Sequence, residues 1–285
     1  MVPCNIRSWN KWQDDSHRET ETSSSDIRFA AKELSRKIAK PRVRDVNAAK
    51  RLARYLSTRM RVICHFKYQE KPKHLEGWSD SDWAGCLDTR KSTSGGLMRL
   101  GTHILKTWTT TQGVIALSSG EAEYYALVET ASQCLGMRAM MKDLGVTLQG
   151  SHSIKVMTDA TAAKGIAMRK GLGPVSHIET NTLWVQEKVS NKEIIIEKIG
   201  GKQNIADALT KPVDQKDSAI HVTGINLETR AERHDEAPEM VGEECVQELE
   251  WNDSKEDEGL VSKENYGKKV KWADENEINE YWNET

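Results

Sequence analysis

The sequence predicts an α/β protein with a mixed sheet, in which three antiparallel strands come first and parallel strands follow. Two short apolar runs, 96–100 and 104–108, are joined by a segment whose Gly-Thr pair at 101–102 suits a tight turn, and they follow a strand-like segment at 78–80. A helical period then runs from 120 to about 144, and later apolar runs alternate with helical ones. Meander strands followed by crossover connections are typical of a mixed sheet with flanking helices.

The first part of the chain has a different pattern. Residues 1–25 are polar and without a period, which predicts an irregular or disordered segment. From 26 to 58 apolar residues recur every three or four positions and Lys and Arg occupy the other faces, so we expect two basic amphipathic helices separated at Pro41. Val62, Cys64 and Phe66 then alternate as in a short strand. We treat 26–70 as one unit.

The second unit spans 75–214. Its long helix carries an apolar stripe and is followed by Gly145, a residue that suits a helix end. A buried strand at 154–157, helices at 160–168 and about 180–189, a strand at 193–197 and a helical turn at 204–210 follow, and Pro212 ends the series. The predicted stripe consists of Leu127, Ala131, Cys134 and Met141.

Charge divides the chain again. Residues 215–285 contain 20 acidic and 8 basic residues, so we expect an acidic, disordered tail, while residues 1–214 carry a net charge of about +10. A basic body suits a phosphate-bearing partner, although an ordinary solvated surface fits the charge equally well. Some aromatic residues stand among the acids of the tail, a pattern that suits either a segment that folds on binding or a fused sequence that stays disordered: Trp251, Trp272, Tyr281 and Trp282.

Scattered cysteines and the absence of a long apolar run indicate a cytosolic or nuclear protein without a membrane span or a disulfide framework.

Four carboxylates stand where a divalent metal site needs them, at strand ends and helix starts. Magnesium prefers oxygen ligands, and rigid elements hold such ligands in place. The spacings are too wide for a local motif, so the residues alone make these positions candidates. They are Asp80, Glu123, Asp159 and Asp207.

Three blocks in order carry a family resemblance. Residues 78–95 contain Trp-Ser-Asp-Ser-Asp-Trp-Ala-Gly-Cys and Thr-Arg-Lys-Ser-Thr-Ser-Gly, residues 116–127 read Ala-Leu-Ser-Ser-Gly-Glu-Ala-Glu-Tyr-Tyr-Ala-Leu, and residues 204–212 read Asn-Ile-Ala-Asp-Ala-Leu-Thr-Lys-Pro. Over 26–214 the chain resembles the ribonuclease H domain of copia-type retrotransposon Pol polyproteins, preceded by a segment similar to the thumb or connection part of their reverse transcriptase. A Tyr-x-Asp-Asp polymerase motif is absent from the sequence.

This resemblance implies a ribonuclease H-like fold and a metal-dependent nuclease for the RNA strand of RNA/DNA hybrids. The family's catalytic, metal-ligating tetrad falls on Asp80, Glu123, Asp159 and Asp207. Two Mg²⁺ ions, or Mn²⁺, are the implied cofactors, and an RNA/DNA hybrid and the reverse transcriptase part of the polyprotein are the implied partners. Glu121 lies about 200° round the helix from Glu123, so only one of the two can face the metals.

Two alternatives remain open. The chain could be a degenerate retroelement remnant that binds nucleic acid, or has no function, without cleaving. An integrase-like nuclease would share the fold but need a late glutamate, for which Glu193 and Glu197 are available.

Overall fold

The computed structural model of the chain describes residues 25–59, 61–146, 148, 154–171 and 182–230. Predictions that fall on 1–24, 172–181 and 231–285 therefore lie outside the described residues. Within the described ranges no helix has the length and apolar character needed to cross a membrane.

A five-stranded mixed sheet forms the centre of the fold. Its strands are β2 (Leu75–Asp82), β3 (Thr93–Leu100), β4 (His103–Thr111), β5 (Ile154–Thr158) and β6 (Ile194–Lys198), in the order β4-β3-β2-β5-β6. The first three pair antiparallel, and β5 pairs parallel with both β2 and β6. The turn between β3 and β4 uses Gly101 at φ 61°, a conformation that glycine adopts without strain. The predicted fold class, with three antiparallel strands before the parallel ones, is confirmed.

Helices cover one face of this sheet. They are α3 (Ser119–Asp143), α4 (Thr161–Met168) and α5 (Trp184–Ser190), and two 3₁₀ turns follow β6, at Gly201–Gln203 and Asp207–Leu209. The α3 helix begins after Ser118, whose hydroxyl accepts a hydrogen bond from the Glu121 backbone N–H at 3.2 Å. The predicted stripe is buried on α3, with Leu127, Ala131 and Cys134 fully inaccessible.

Close contact between α3 and the sheet depends on a glycine of β2. A Cβ placed on Gly77 would lie 2.6 Å from Thr130 Cγ2 and 2.7 Å from Cys134 Sγ. Only a residue without a side chain lets the helix approach the strand this closely. The approach fixes the start of α3 over the carboxyl end of β2.

The two ends of the described chain meet on the opposite face. A 3₁₀ turn (Ser25–Ile27), α1 (Arg28–Ser35), α2 (Val43–Ser57) and β1 (Arg61–Cys64) come before the sheet, and α6 (Gln215–Gly224) and β7 (Leu227–Arg230) come after it. β1 and β7 pair antiparallel as a separate two-stranded sheet. Ile225 and Leu227 join a second core cluster with Leu97 and Leu209, which secures these ends to the main sheet.

This arrangement corrects the predicted boundaries at 25 and 215. Residues 215–230 form a helix and a strand rather than a disordered tail, and Ser25 is buried 3.4 Å from His221 Nε2. Few apolar residues stand in 215–230, so no local pattern predicts these elements. Most of their stabilising contacts come from strands and turns far away in the chain. The segment 26–70 likewise packs on the unit that contains the sheet, since α1 contacts β4 and the Asp207–Leu209 turn.

Candidate metal centre

The sheet register brings two of the four candidate carboxylates side by side. Trp78 of β2 lies opposite Met157 of β5 in the parallel pair, so Asp80 and Asp159 follow at the same level, two residues further along each strand. The carboxyl ends of parallel strands share one edge of a sheet, where functional side chains commonly collect. Glu123 reaches this edge from the beginning of α3.

Three carboxylates converge at this edge. Asp80, Glu123 and Asp159 each offer an oxygen atom, and these atoms all lie within 4.8 Å of one another. Asp80 is 3% exposed, while the other two are partly accessible. We call this group the carboxylate cluster.

Asp80 is held by side chains from the end of the domain. Asn204 Nδ2 donates to Asp80 Oδ1 at 3.2 Å and to the Ser79 carbonyl oxygen at 3.1 Å. The Thr210 hydroxyl donates to Asp80 Oδ2. Because both carboxylate oxygens accept hydrogen bonds from rigidly held groups, the orientation of Asp80 is fixed before any cation binds.

Asp207 lies next to the cluster but outside the group of three. Its Oδ2 forms an ion pair with Lys211 Nζ at 2.9 Å. Lys211 lies four residues after Asp207, on the next turn of the chain. Its charge nevertheless acts on both Asp80 and Asp159. The structure thus brings three of the four candidates together and leaves Asp207 paired at the rim, so its predicted role as a ligand stays a prediction.

The electrostatics of the cluster favour bound protons or a bound cation. Burial, followed by the negative charge of Asp207, raises the pKa of Asp80 to about 7. Burial, followed by the charges of Asp80 and Asp159, raises the pKa of Glu123 to about 9. The pKa of Asp159 is raised as well, first by burial and then by Asp207. A divalent cation would stabilise the ionised forms that burial and mutual repulsion disfavour.

The donor set fits a hard divalent cation. All three side chains offer oxygen, the ligand type that Mg²⁺ and Mn²⁺ prefer. Glu123 Oε2 is buried without a hydrogen-bond partner among the described residues. A buried carboxylate oxygen without a donor is costly, and a cation at the cluster would satisfy it.

The neighbouring acids have other tasks. Glu121 is buried, and its carboxylate accepts hydrogen bonds from the Leu117 backbone N–H at 2.8 Å and from the Tyr125 hydroxyl at 2.9 Å. It therefore fixes the loop before α3, and Glu123 is the residue that faces the cluster. Asp82, two residues beyond Asp80, lies outside the group of three.

The late glutamates that an integrase-like site would need are engaged elsewhere. Glu193 forms ion pairs with Arg138 at 3.0 Å and with Lys188 at 2.8 Å, and Glu197 pairs with Lys155 at 3.2 Å. Neither belongs to the carboxylate cluster.

No role was predicted for Asn204, Thr210 and Lys211, although all three stand in the block that carries the resemblance. The signal available was position: Thr210 and Lys211 follow Asp207 by three and four residues, a spacing that places side chains on one side of a helical turn.

No protein-family model matches the chain. Several proteins are similar to it. The retrovirus-related Pol polyprotein from transposon TNT 1-94 of Nicotiana tabacum is 29% identical over 192 residues, which cover 66% of this chain and 14% of the polyprotein. The corresponding polyprotein from transposon RE2 of Arabidopsis thaliana is 28% identical over 193 residues, or 67% of this chain and 13% of the polyprotein. The secreted RxLR effector protein 161 of Plasmopara viticola is 36% identical over 110 residues, or 39% of this chain and 77% of that protein.

Among solved structures, the N-terminal RNase H domain of a Mycobacterium tuberculosis protein is similar with a TM-score of 0.34 and 16% identity, covering 53% of this chain and 95% of that chain. The RNase H1 named LC11, isolated from compost, has a TM-score of 0.34 and 15% identity, covering 48% of this chain and 93% of that chain.

The strand order and the acidic edge define an α/β protein of the ribonuclease H-like class. Over about two thirds of its length the chain is similar to retrovirus-related Pol polyproteins from plant transposons. It spans about 14% of the length of the polyproteins it matches.

Proposed function

We propose that the chain hydrolyses the RNA strand of RNA/DNA hybrids with the help of divalent cations, as one segment of a copia-type Pol polyprotein. The observation that carries this proposal is the carboxylate cluster: three acids from β2, α3 and the end of β5 within 4.8 Å, one with a buried oxygen that has no donor among the described residues. Asp80, Glu123 and Asp159 would hold the cations, and Asp207 would join them at the rim.

Two divalent cations, when bound, supply Lewis acids for the attacking and the leaving oxygen of an in-line displacement at phosphorus. The chain's own residues position and tune this centre. Asn204 and Thr210 hold the Asp80 carboxylate in one orientation. Lys211 offsets the charge of Asp207, which lowers the repulsion that a phosphate would meet at the rim.

Cations around the cluster suit a phosphate-bearing substrate. Lys198 Nζ donates to the Asp159 carbonyl oxygen at 3.0 Å, and the Lys198 and Lys211 side chains are exposed beside the cluster. A hybrid would be recognised through backbone phosphates and 2′-hydroxyls across its shallow minor groove, without a strong sequence preference. The reverse transcriptase part of the polyprotein is the proposed partner that delivers this substrate.

A hybrid-cleavage assay tests the proposal. The full chain is incubated with an RNA/DNA hybrid whose two strands carry different fluorophores, in Mg²⁺, in Mn²⁺ and in chelator. We expect cleavage of the RNA strand alone, dependent on the cation, and at least about a hundredfold slower in Asp159→Asn. Binding of the hybrid without cleavage in either cation would overturn the proposal and favour a degenerate remnant that only binds nucleic acid.

A further inference from the structure

The α2 helix lacks the packing that its sequence pattern calls for. It is amphipathic, yet none of its residues is buried, and Leu56 is 41% exposed. Among the described elements α1 is its main contact. Because helices in proteins owe most of their stability to packing of an apolar face, α2 presents a surface that a further segment can cover.

The other sides of the helix are strongly basic. Residues 42–61 contain seven Arg and Lys residues and a single acid, Asp45. Within the described part of the chain, α2 has one ion pair, between Arg44 Nε and Asp45 Oδ1 at 4.0 Å. The remaining cations of the helix thus face no carboxylate at that range. We call residues 42–61 the basic face; its cations are Arg42, Arg44, Lys50, Arg51, Arg54, Arg59 and Arg61.

The chain leaves the described structure beside this face. β7 runs antiparallel to β1, and its last residue, Arg230, lies opposite Arg61. Arg61 follows the end of α2, at Ser57, by four residues. The described chain therefore ends, at Arg230, near the carboxyl end of α2.

The segment that follows has the opposite charge. Residues 231–285 contain 18 acidic and 6 basic residues, and five aromatic residues stand among them. A helix of 15 residues is about 22 Å long, a distance that about seven extended residues can span. Carboxylates could pair with the arginines, and tryptophan rings suit both arginine planes and exposed leucine.

We propose that residues 231–285 dock on the basic face within the same chain. Docking would cover the apolar side of α2 and pair its cations. It would also exclude nucleic acid from this face, because phosphates would compete for the same arginines. This inference does not depend on the nuclease function, since it concerns a surface formed by other residues than the carboxylate cluster.

Zero-length crosslinking of the full chain tests the contact. Lys50 is the one lysine in α2, and a carbodiimide joins an amine to a carboxylate only where the two are in contact. We expect mass spectrometry to find Lys50 joined to acids of 231–285 in the monomer, and to lose these products in 1 M NaCl, where the Debye length is about 3 Å. Mixing heavy-isotope and light chains identifies products that join two molecules.

A second measurement tests the competition. The probe is a short fluorescent DNA duplex, and the variant is Glu243→Gln/Glu244→Gln/Glu248→Gln/Glu250→Gln in the full chain. We expect the variant to bind the duplex about tenfold more tightly, which corresponds to about 1.4 kcal/mol shared among four weak ion pairs. The matched control neutralises four exposed acids of the body, Glu70, Asp143, Glu187 and Asp217, and is expected to gain less than about threefold.

Crosslinks from Lys50 that lead only to body residues, or only to a second chain, would overturn the proposal. So would equal duplex affinities of the tail variant and the body control, which would leave the basic face open to nucleic acid in the unmodified chain.

Discussion

Replacing Glu123 by glutamine should change how the stability of the metal-free protein depends on pH. Glu123 has a pKa of about 9 in the folded chain and an ordinary value of 4.5. It therefore stays protonated in the folded state over a range in which the unfolded chain ionises. Glutamine has nearly the same shape as the protonated acid and cannot ionise, so the two proteins should be similarly stable at low pH.

The sign follows from proton linkage. A raised pKa in the folded state contributes stability that is fully present below 4.5 and is lost as the pH rises towards 9. Each pH unit in that window costs the wild-type chain about 1.4 kcal/mol that the variant does not lose. Two like charges 4.8 Å apart repel by about 3 kcal/mol at an effective dielectric constant of about 20, which agrees with a shift caused by burial and two neighbouring carboxylates.

Urea unfolding in chelator at pH 6, 7 and 8 measures the effect. We expect Glu123→Gln to gain about 3 kcal/mol over the wild-type chain between pH 6 and pH 8. Saturating Mg²⁺ should restore the wild-type stability at pH 8 and leave the variant nearly unchanged. The control Glu187→Gln removes an exposed carboxylate and should follow the wild-type curve. Parallel curves for Glu123→Gln and the wild type would refute the reasoning.

Three further changes test the surroundings of the site. Gly95→Ala should lower the free energy of unfolding by about 1–3 kcal/mol, because the new Cβ would lie 2.5 Å from Thr210 Cγ2. Urea unfolding measures this loss, and an unchanged midpoint would contradict the close approach of Gly95 to Thr210. Lys211→Gln should tighten Mn²⁺ binding several-fold in a titration, since it removes a cation 2.9 Å from Asp207. Weaker binding would show instead that Lys211 holds the carboxylates in place for the ion. A chain ending at residue 214 should melt at least about 5 °C below one ending at residue 230, because it loses β7 and the contacts of β7 with the second core cluster. Equal melting temperatures would show that residues 215–230 do not stabilise the domain.

Much of the fold could be predicted from periodicity. The strands at 96–100 and 104–108 and the helix at 120–144 have local signals, and the structure places them within a few residues of those bounds. The boundary at 215 was wrong because its signal is not local. Leu227 is buried by pairing with Cys64, 163 residues earlier, and no pattern near 227 indicates that partner.

The candidate site divides in the same way. Helix geometry predicted that only one of Glu121 and Glu123 can face the metals, and the resemblance implied Glu123. In the structure Glu121 holds the loop before α3 and Glu123 lies in the cluster, while the catalytic role of Glu123 stays a prediction. The support that Asn204 and Thr210 give to Asp80 spans more than 120 residues of chain. Such contacts form only in the assembled fold, and neither the spacing nor the composition of the residues predicts them.

If the carboxylate cluster binds divalent cations, the full chain must take up Mn²⁺ ions in a number that can be counted. Electron paramagnetic resonance detects free Mn²⁺, so a titration of the full chain gives the number and affinity of bound ions. We expect saturable binding of about two ions per chain, weakened at least about tenfold by Asp80→Asn. Absence of saturable binding, or an affinity that Asp80→Asn leaves unchanged, would contradict it.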